Sequence, residues 1–206
     1  AQDGPVENEH RRRQVVDGLA GHGDDSSMPI ENERKFVLDE DGGLETLIGR
    51  TPGVARTFLR QAYLDVPGIR IRSIEAGGRT DHVFTYKREV AGQVVEIETA
   101  ISDMDFARLW TERREFLQKV RYAWSDGRFH WDVDFFKTDD GRTYFAMAEV
   151  EMPEQDTTAP PLPAPLADHL LAVVQHGDSR FASKQLSDQS HAEQLLADIR
   201  LKGKRQ

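Results

Sequence analysis

Six pairs of like-charged residues at spacing two recur along this 206-residue chain: Glu31/Glu33, Arg70/Arg72, Glu96/Glu98, Lys119/Arg121, Asp132/Asp134 and Glu149/Glu151. Each lies in or beside a run that alternates apolar and polar residues. Successive side chains of a β-strand point to opposite faces, so the members of a pair stand on one face roughly 7 Å apart. An antiparallel sheet with one wet face also alternates, but wet faces mix both signs with Thr, Ser and Gln. Here every pair has a single sign. At an effective dielectric of about 20, two such charges repel by about 2 kcal/mol, and six enclosed pairs would oppose folding by roughly a domain's whole stability. Enclosure therefore requires counter-charges on neighbouring strands or bound ions, whereas full exposure lets solvent screen the repulsion. Periodicity leaves both arrangements open.

The chemistry available to an enclosed set is specific. Glu31/Glu33 and Glu149/Glu151 come from the first and last long strands, which become neighbours if the sheet closes, bringing four carboxylates together. Carboxylate oxygens are the ligands of hard divalent cations such as Mg2+. Lys35, Arg70, Arg72, Lys87, Lys119 and Arg121 supply positive charge on the same faces, and Arg forks match phosphate oxygens. A triphosphate with a metal ion uses both sets, and one glutamate could accept the proton of an attacking water.

The elements that must position these residues are mostly strands. Strand patterns fall near 30–38, 58–65, 68–75, 81–90, 93–100, 115–124, 128–137 and 142–152, broken by Gly77-Gly78, Ala91-Gly92, Asp126-Gly127 and Asp140-Gly141, the residues that tight hairpins need. Eight hairpin-linked strands predict a mainly β, α+β fold built on a closed eight-stranded antiparallel barrel. Helices are expected outside it: Leu44 to Ile48, and Asp103 to Arg113 with Ser102 as N-cap. Five prolines between Pro153 and Pro165 should end the sheet at Met152. A C-terminal helical segment, 166–206, is expected to hold helices near Leu166 to Val174 and Gln189 to Leu201, with Arg180 in the loop between them. Residues 1–27 are polar and Gly/Asp/Ser-rich, contain Arg11-Arg12-Arg13, and are expected to form a flexible extension before a single domain over 28–206, with Met28 a plausible start.

Composition narrows the function classes. With no Cys, disulfide stapling and thiolate chemistry are excluded. A net charge of −9 argues against a general nucleic-acid binder. No apolar run is long enough to span a membrane, so a cytoplasmic protein without membrane or nucleic-acid partners is expected, a homodimer being left open.

Taken in order, Glu31-x-Glu33-x-Lys35, Arg70-x-Arg72, Thr85-Tyr86-Lys87, Glu96-x-Glu98, Lys119-x-Arg121, Asp132-x-Asp134 and Glu149-x-Glu151 resemble the motif series of the CYTH superfamily of triphosphate tunnel metalloenzymes over about residues 30 to 185. The resemblance implies an eight-stranded tunnel and Mg2+- or Mn2+-dependent chemistry on triphosphates. It implies that Glu31, Glu33, Glu149 and Glu151, with Glu98, bind metal, and that Glu31 or Glu33 positions the attacking water. Lys35, Arg70, Arg72, Lys87, Lys119, Arg121 and, by a looser match, Lys184 would hold phosphates, with Glu96, Asp132 and Asp134 as supporting carboxylates. Hydrolysis of inorganic triphosphate is the leading expectation, because no aromatic box for a base or thiazole ring stands out among the inward positions. A class IV-type adenylate cyclase, a thiamine or nucleoside triphosphatase, and a non-catalytic polyphosphate-binding module are the alternatives.

Other residues point to structure. Trp110, Trp124, Trp131 and Phe135 are expected to pack under outer helices. Phe145 and Met147 share the Glu149 face, and so either close one end of the barrel or mark a bulge. His22, His82, His130, His169, His176 and His191 have no metal-ligand spacing, and Ser183 has no His-Asp pattern around it.

Overall fold

A computed structural model of the chain describes residues 32–203 apart from 92 and 154. Glu31, Met28 and the 1–27 extension lie outside the described residues. Nine strands form one antiparallel sheet: β1 (Glu33–Leu38), β2 (Ala55–Leu64), β3 (Ile69–Ala76), β4 (Arg79–Val90), β5 (Gln93–Ala100), β6 (Arg113–Ser125), β7 (His130–Lys137), β8 (Thr143–Glu151) and β9 (Leu170–Val173). Their order across the sheet is β5-β4-β3-β2-β6-β7-β8-β1-β9.

This corrects two expectations. The sheet is open, with β5 and β9 at its edges, where a closed eight-stranded barrel was expected. Nor does it end at Met152: the chain returns, and Leu170 to Val173, read from the sequence as part of a helix over Leu166 to Val174, pairs with β1 as β9. Only α3 (Ala164–Ala167), opening after Pro163, is helical there. The edge of β1 that closure would need is thereby occupied.

The remaining helices are α1 (Leu44–Gly49), α2 (Asp103–Thr111), α4 (Ser183–Leu186) and α5 (Gln189–Gly203), with a 3₁₀ turn at Ser179–Phe181. Ser102 caps α2 as expected, its Oγ accepting from the Asp105 amide at 3.1 Å.

Directly paired residues of antiparallel strands share a face, so the registers sort the core. One face carries Phe36, Leu38, Val120, Tyr122, Trp131, Val133, Phe135, Ala148 and Val150, packed with Leu44 and Ile48 of α1 and Leu166 of α3. The same side of β2 and β3 buries Ala62 and Ile71 against Phe106 of α2, with Trp110 beside them. The opposite face is apolar at one end only. There Val37, Leu117, Phe136, Phe145 and Met147 meet Phe181, Leu186, Ala192 and Leu195 from the C-terminal segment. Phe145 and Met147 thus close one end of the charged face, and Trp131 is fully buried in the core.

Turn chemistry sets the hairpins. Gly77 and Gly78, at φ +58° and +78°, make the β3–β4 turn, where both central residues need positive φ. Asp126 organises the β6–β7 turn, its Oδ1 accepting from the amides of Arg128 and Phe129 at 2.9 and 2.8 Å and its Oδ2 from Trp131 Nε1 at 3.0 Å. Gly68 ends the β2–β3 connection at φ +83°, and a methyl group there would overlap the Lys87 carbonyl oxygen and the Arg88 side chain. Gly68→Ala is therefore expected to destabilise the fold by more than about 1 kcal/mol. Urea denaturation checks this, and an unchanged midpoint would contradict it.

Candidate functional site

The registers place the charged pairs on the face opposite the main core. Glu33 stands directly opposite Glu151, and Lys35 opposite Glu149. Glu149 faces Asp132, and Asp134 faces Arg121. Across β2 the same face continues through Thr57, Leu59, Gln61 and Tyr63 to Arg72 and Arg70, then to Thr85, Lys87, Glu98 and Glu96. Every expected site residue from strands of the described chain lies on this one surface.

Its centre is an ion cluster on β6 and β7. Asp134 has no solvent exposure, and Lys119 is 4% exposed. Lys119 Nζ lies 2.6 Å from Asp134 Oδ2, and Arg121 binds the same carboxylate bidentately, Nε to Oδ1 and Nη2 to Oδ2, each at 2.7 Å. Arg121 also pairs with Asp132, and with Glu149 at 3.3 Å. Burial alone would raise the Asp134 pKa, but Arg121 and then Lys119 outweigh it and hold the carboxyl well below its ordinary value. Burial acts against the charge of Arg121 too, and the carboxylates around it reverse that, raising its pKa. Lys119 is pulled below its usual value, first by burial and next by the Arg121 guanidinium. Asp132 stays low despite burial, because His130, 3.3 Å away, and Arg121 favour its ionised form.

Lys35 extends this cluster to β1. Its Nζ is 2.7 Å from Glu149 Oε1 and 3.3 Å from Glu33 Oε2. Burial works against the ammonium, but Glu149 and then Glu33 raise its pKa overall.

A second cluster occupies the β5 side. Arg70 is 3.2 Å from Glu96 and 3.4 Å from Glu98, Arg72 pairs with Glu98, and Lys87 lies 3.1 Å from Glu96. Thr85, fully buried, donates to Glu98 at 2.8 Å. Burial disfavours the charged form of Glu98, but Arg72, Thr85 and Arg70 prevail and lower its pKa. Glu98, assigned to the metal set by resemblance, therefore sits among arginines. Lys184 of α4 stands over the Tyr63 ring at 5.7 Å, with Glu115 3.8 Å away. Tyr63 is opposite Arg70, so Lys184 approaches the same basic side.

Gln61 and Tyr63 bridge the two clusters, and Gln61 donates to the Tyr63 hydroxyl. Burial, opposed by Arg70, pushes the Tyr63 pKa up to about 12. Sequence reading passed over both, although their spacing of two matches the charged pairs. It also passed over Thr85 as a partner of Glu98, His130 as a partner of Asp132, and the loop after β9.

Among the described residues no three His, Asp or Glu side chains converge to hold an ion. The donor chemistry still fits a hard divalent cation, since Glu33 and Glu151 are carboxylates placed directly opposite each other, where like charges repel unless a cation lies between or beside them. Mg2+ and Mn2+ both take such oxygens.

No family model and no curated protein matches the chain. Among solved structures it is similar to the inorganic triphosphatase NE1496, 23% identical, covering 78% of this chain and 95% of that one at a TM-score of 0.49. It is similar to PH1819 from Pyrococcus horikoshii OT3, 14% identical over 82% and 90% of the two chains, at 0.42. It is also similar to the Schizosaccharomyces pombe Mediator head module, 8% identical over 82% and 92%, at 0.37. Likenesses of this size reach proteins as different as a triphosphatase and a Mediator assembly, so they decide nothing about activity.

Breaking a buried ion pair from one side costs about 3–5 kcal/mol, because the remaining charge is stranded. Asp134→Asn is expected to destabilise by that order. Folding lowers the Asp134 pKa below its ordinary 3.8, so the stabilisation is complete above that value and is lost as pH falls beneath it. Acid titrations followed by circular dichroism should show a steeper acid limb for the wild type than for Asp134→Asn; identical limbs would exclude this role.

Proposed function

We propose that the chain is a metal-dependent triphosphatase, hydrolysing inorganic triphosphate to diphosphate and orthophosphate. One observation carries the reading: an opposed carboxylate pair, Glu33 and Glu151, lies on the same face as a row of Lys and Arg that leads from β1 to β4. These residues belong to the motif series that resembles the CYTH superfamily.

Charge balance supports a bound cation. Among the described residues of that set, Lys35, Lys119, Arg121, Arg70, Arg72 and Lys87 supply six positive charges against seven carboxylates: Glu33, Glu96, Glu98, Asp132, Asp134, Glu149 and Glu151. A polyanion gains little from a face that is already neutralised, whereas a triphosphate carrying divalent cations gains from both signs. Mg2+ or Mn2+, held by Glu33, Glu151 and Glu149 with Glu31 as a further donor, would neutralise phosphate oxygens and polarise the reacting phosphorus.

The chain's own residues would act as follows. Arg70, Arg72 and Lys87 bind the diphosphate portion, their carboxylate partners fixing them before the ligand arrives. Arg121 and Lys35 orient the terminal phosphoryl group. Glu33, or Glu31, holds the attacking water and takes its proton as the new oxygen–phosphorus bond forms and the bridging oxygen departs with the electron pair as diphosphate. Asp134 and Lys119, buried beneath, position Arg121.

Glu33→Gln and Glu151→Gln are expected to lower Mg2+-dependent orthophosphate release by about a hundredfold or more while leaving the binding of metal-free triphosphate nearly intact. If wild type and both variants release phosphate at one slow rate, the catalytic reading is wrong and only a binding module is left. A nucleoside triphosphate that yields a cyclic nucleotide instead of orthophosphate would replace hydrolysis by cyclisation. Arg70→Ala combined with Arg72→Ala is expected to weaken triphosphate binding about tenfold or more. Calorimetry tests this, and unchanged affinity would mean that the basic row does not bind the ligand.

A further inference from the structure

Along the outer edge of β1 lies a cleft of about 250 Å3, bounded by Glu33 and Lys35 on one side and by residues 174–179 and Ala182 on the other. Its far wall is fixed. The Val174 amide donates to the Lys35 carbonyl at 2.9 Å and the Asp178 amide to the Gln175 carbonyl at 3.1 Å. Phe181, just beyond, is buried in the apolar cluster that closes this end of the sheet. The carboxylate of Asp178 is taken by Arg180, whose Nε lies 3.0 and 3.2 Å from its two oxygens and whose Nη2 lies 2.6 Å from Oδ2. Asp178 therefore brings little unmatched negative charge to the cleft.

His176 is held differently. Arg34 Nη1 lies 3.1 Å from His176 Nδ1, and a guanidinium has donors only. An imidazole whose Nδ1 accepts from that guanidinium carries its N–H on Nε2. Arg34 is itself restrained, donating to Asn32 Oδ1 at 2.6 Å, the Glu33 carbonyl at 3.0 Å and the Thr157 carbonyl at 3.3 Å. Asn32 in turn ties the Pro-rich segment down through the Pro153 and Asp156 carbonyls, at 2.6 and 2.8 Å. With Nδ1 turned to Arg34, Nε2 is the ring nitrogen left for a ligand in the cleft. A lysine at that position would compete for the Glu33 carboxylate, as Lys35 does at 3.3 Å, whereas an uncharged imidazole N–H would be left to a ligand oxygen.

We propose that this cleft is the subsite for the terminal phosphoryl group of the substrate and for the orthophosphate released from it, with His176 donating through Nε2 alongside the Lys35 ammonium. The inference rests on the triphosphatase reading and extends it to a residue outside the charged-pair motifs. His176 is a positioning and product-binding residue: it fixes the oxygens of the group being transferred and makes no contact with the diphosphate portion.

The test is orthophosphate and diphosphate binding to the full chain, by calorimetry without added metal and again with Mg2+. His176→Phe keeps a ring and removes the donor, and His176→Gln keeps an amide donor together with an acceptor for Arg34. His176→Phe is expected to weaken orthophosphate binding about tenfold, with diphosphate affinity and melting temperature unchanged, and His176→Gln to recover most of the loss. In turnover assays, inhibition by orthophosphate should weaken in step. Equal loss of both ligands in His176→Phe, unchanged orthophosphate affinity, or no recovery in His176→Gln would each overturn the assignment. Should the wild type bind orthophosphate through His176 yet hydrolyse no triphosphate, the hydrolysis reading fails and the oxyanion subsite stands. Normal hydrolysis with His176 silent gives the reverse.

Discussion

The ionised carboxylate of Asp134, shut away from solvent between Lys119 and Arg121, is the constraint on which the rest of the charged face depends. A charge without solvent is tolerated only when its partners satisfy it from several directions. Three hydrogen bonds from two cations do so here. Arg121 then has donors left over, and they reach Asp132 and Glu149. Glu149 takes Lys35. One buried anion thereby organises a chain of contacts across β6, β7, β8 and β1. It also fixes the register: sliding β7 by one residue would put Asp134 among Trp131's apolar neighbours and Phe135 among the ions.

The charged face has a direction. At one end Val37, Leu117, Phe136, Phe145 and Met147 are covered by Phe181, Leu186 and Leu195. Next come the ion clusters, and past them Glu33, Glu151 and His130, paired across three strands. An apolar floor excludes water beneath the ions and lowers the local dielectric, which strengthens each pair above it. The same C-terminal segment that supplies the floor also supplies the wall of the cleft beside Glu33, since the loop between Val174 and Phe181 leads from β9 into the plug. Floor and cleft are two consequences of one chain return.

That return is where the sequence was hardest to read. Period-two alternation and Gly-containing turns located the eight long strands to within a few residues, because both signals are local and every strand has one wet or charged face. A four-residue strand with an apolar run, Leu170–Val173, carries no such contrast, and its leucine spacing fits a helix equally well. Its identity is settled by pairing with β1, a contact more than a hundred residues away in sequence. The same limit hid Gln61 and Tyr63 and the partners of Thr85 and His176. Each gains its meaning from a partner on another strand or loop, whereas like-charged doublets announce themselves within three residues. Open edges at β5 and β9, where closure was expected, have the same origin: hairpins specify neighbours, and only long-range register decides whether the last strand meets the first.

The pairing of the two clusters bears on how a polyanion could be accepted at all. Arg70, Arg72, Lys87, Lys35 and Arg121 are held by carboxylates, so their side-chain entropy is lost on folding and not on binding. That pre-organisation has a cost, because a phosphate oxygen that takes an arginine from Glu96 or Glu98 leaves the carboxylate short of a partner. On the proposed reading, divalent cations arriving with the triphosphate supply the missing positive charge, so anion and cation each raise the affinity for the other by one common factor. A face with more lysine and less glutamate would bind triphosphate alone, but it would also retain diphosphate after cleavage. Balanced charge makes retention depend on the complete metal–triphosphate unit, and so favours release once the chain of phosphates is cut.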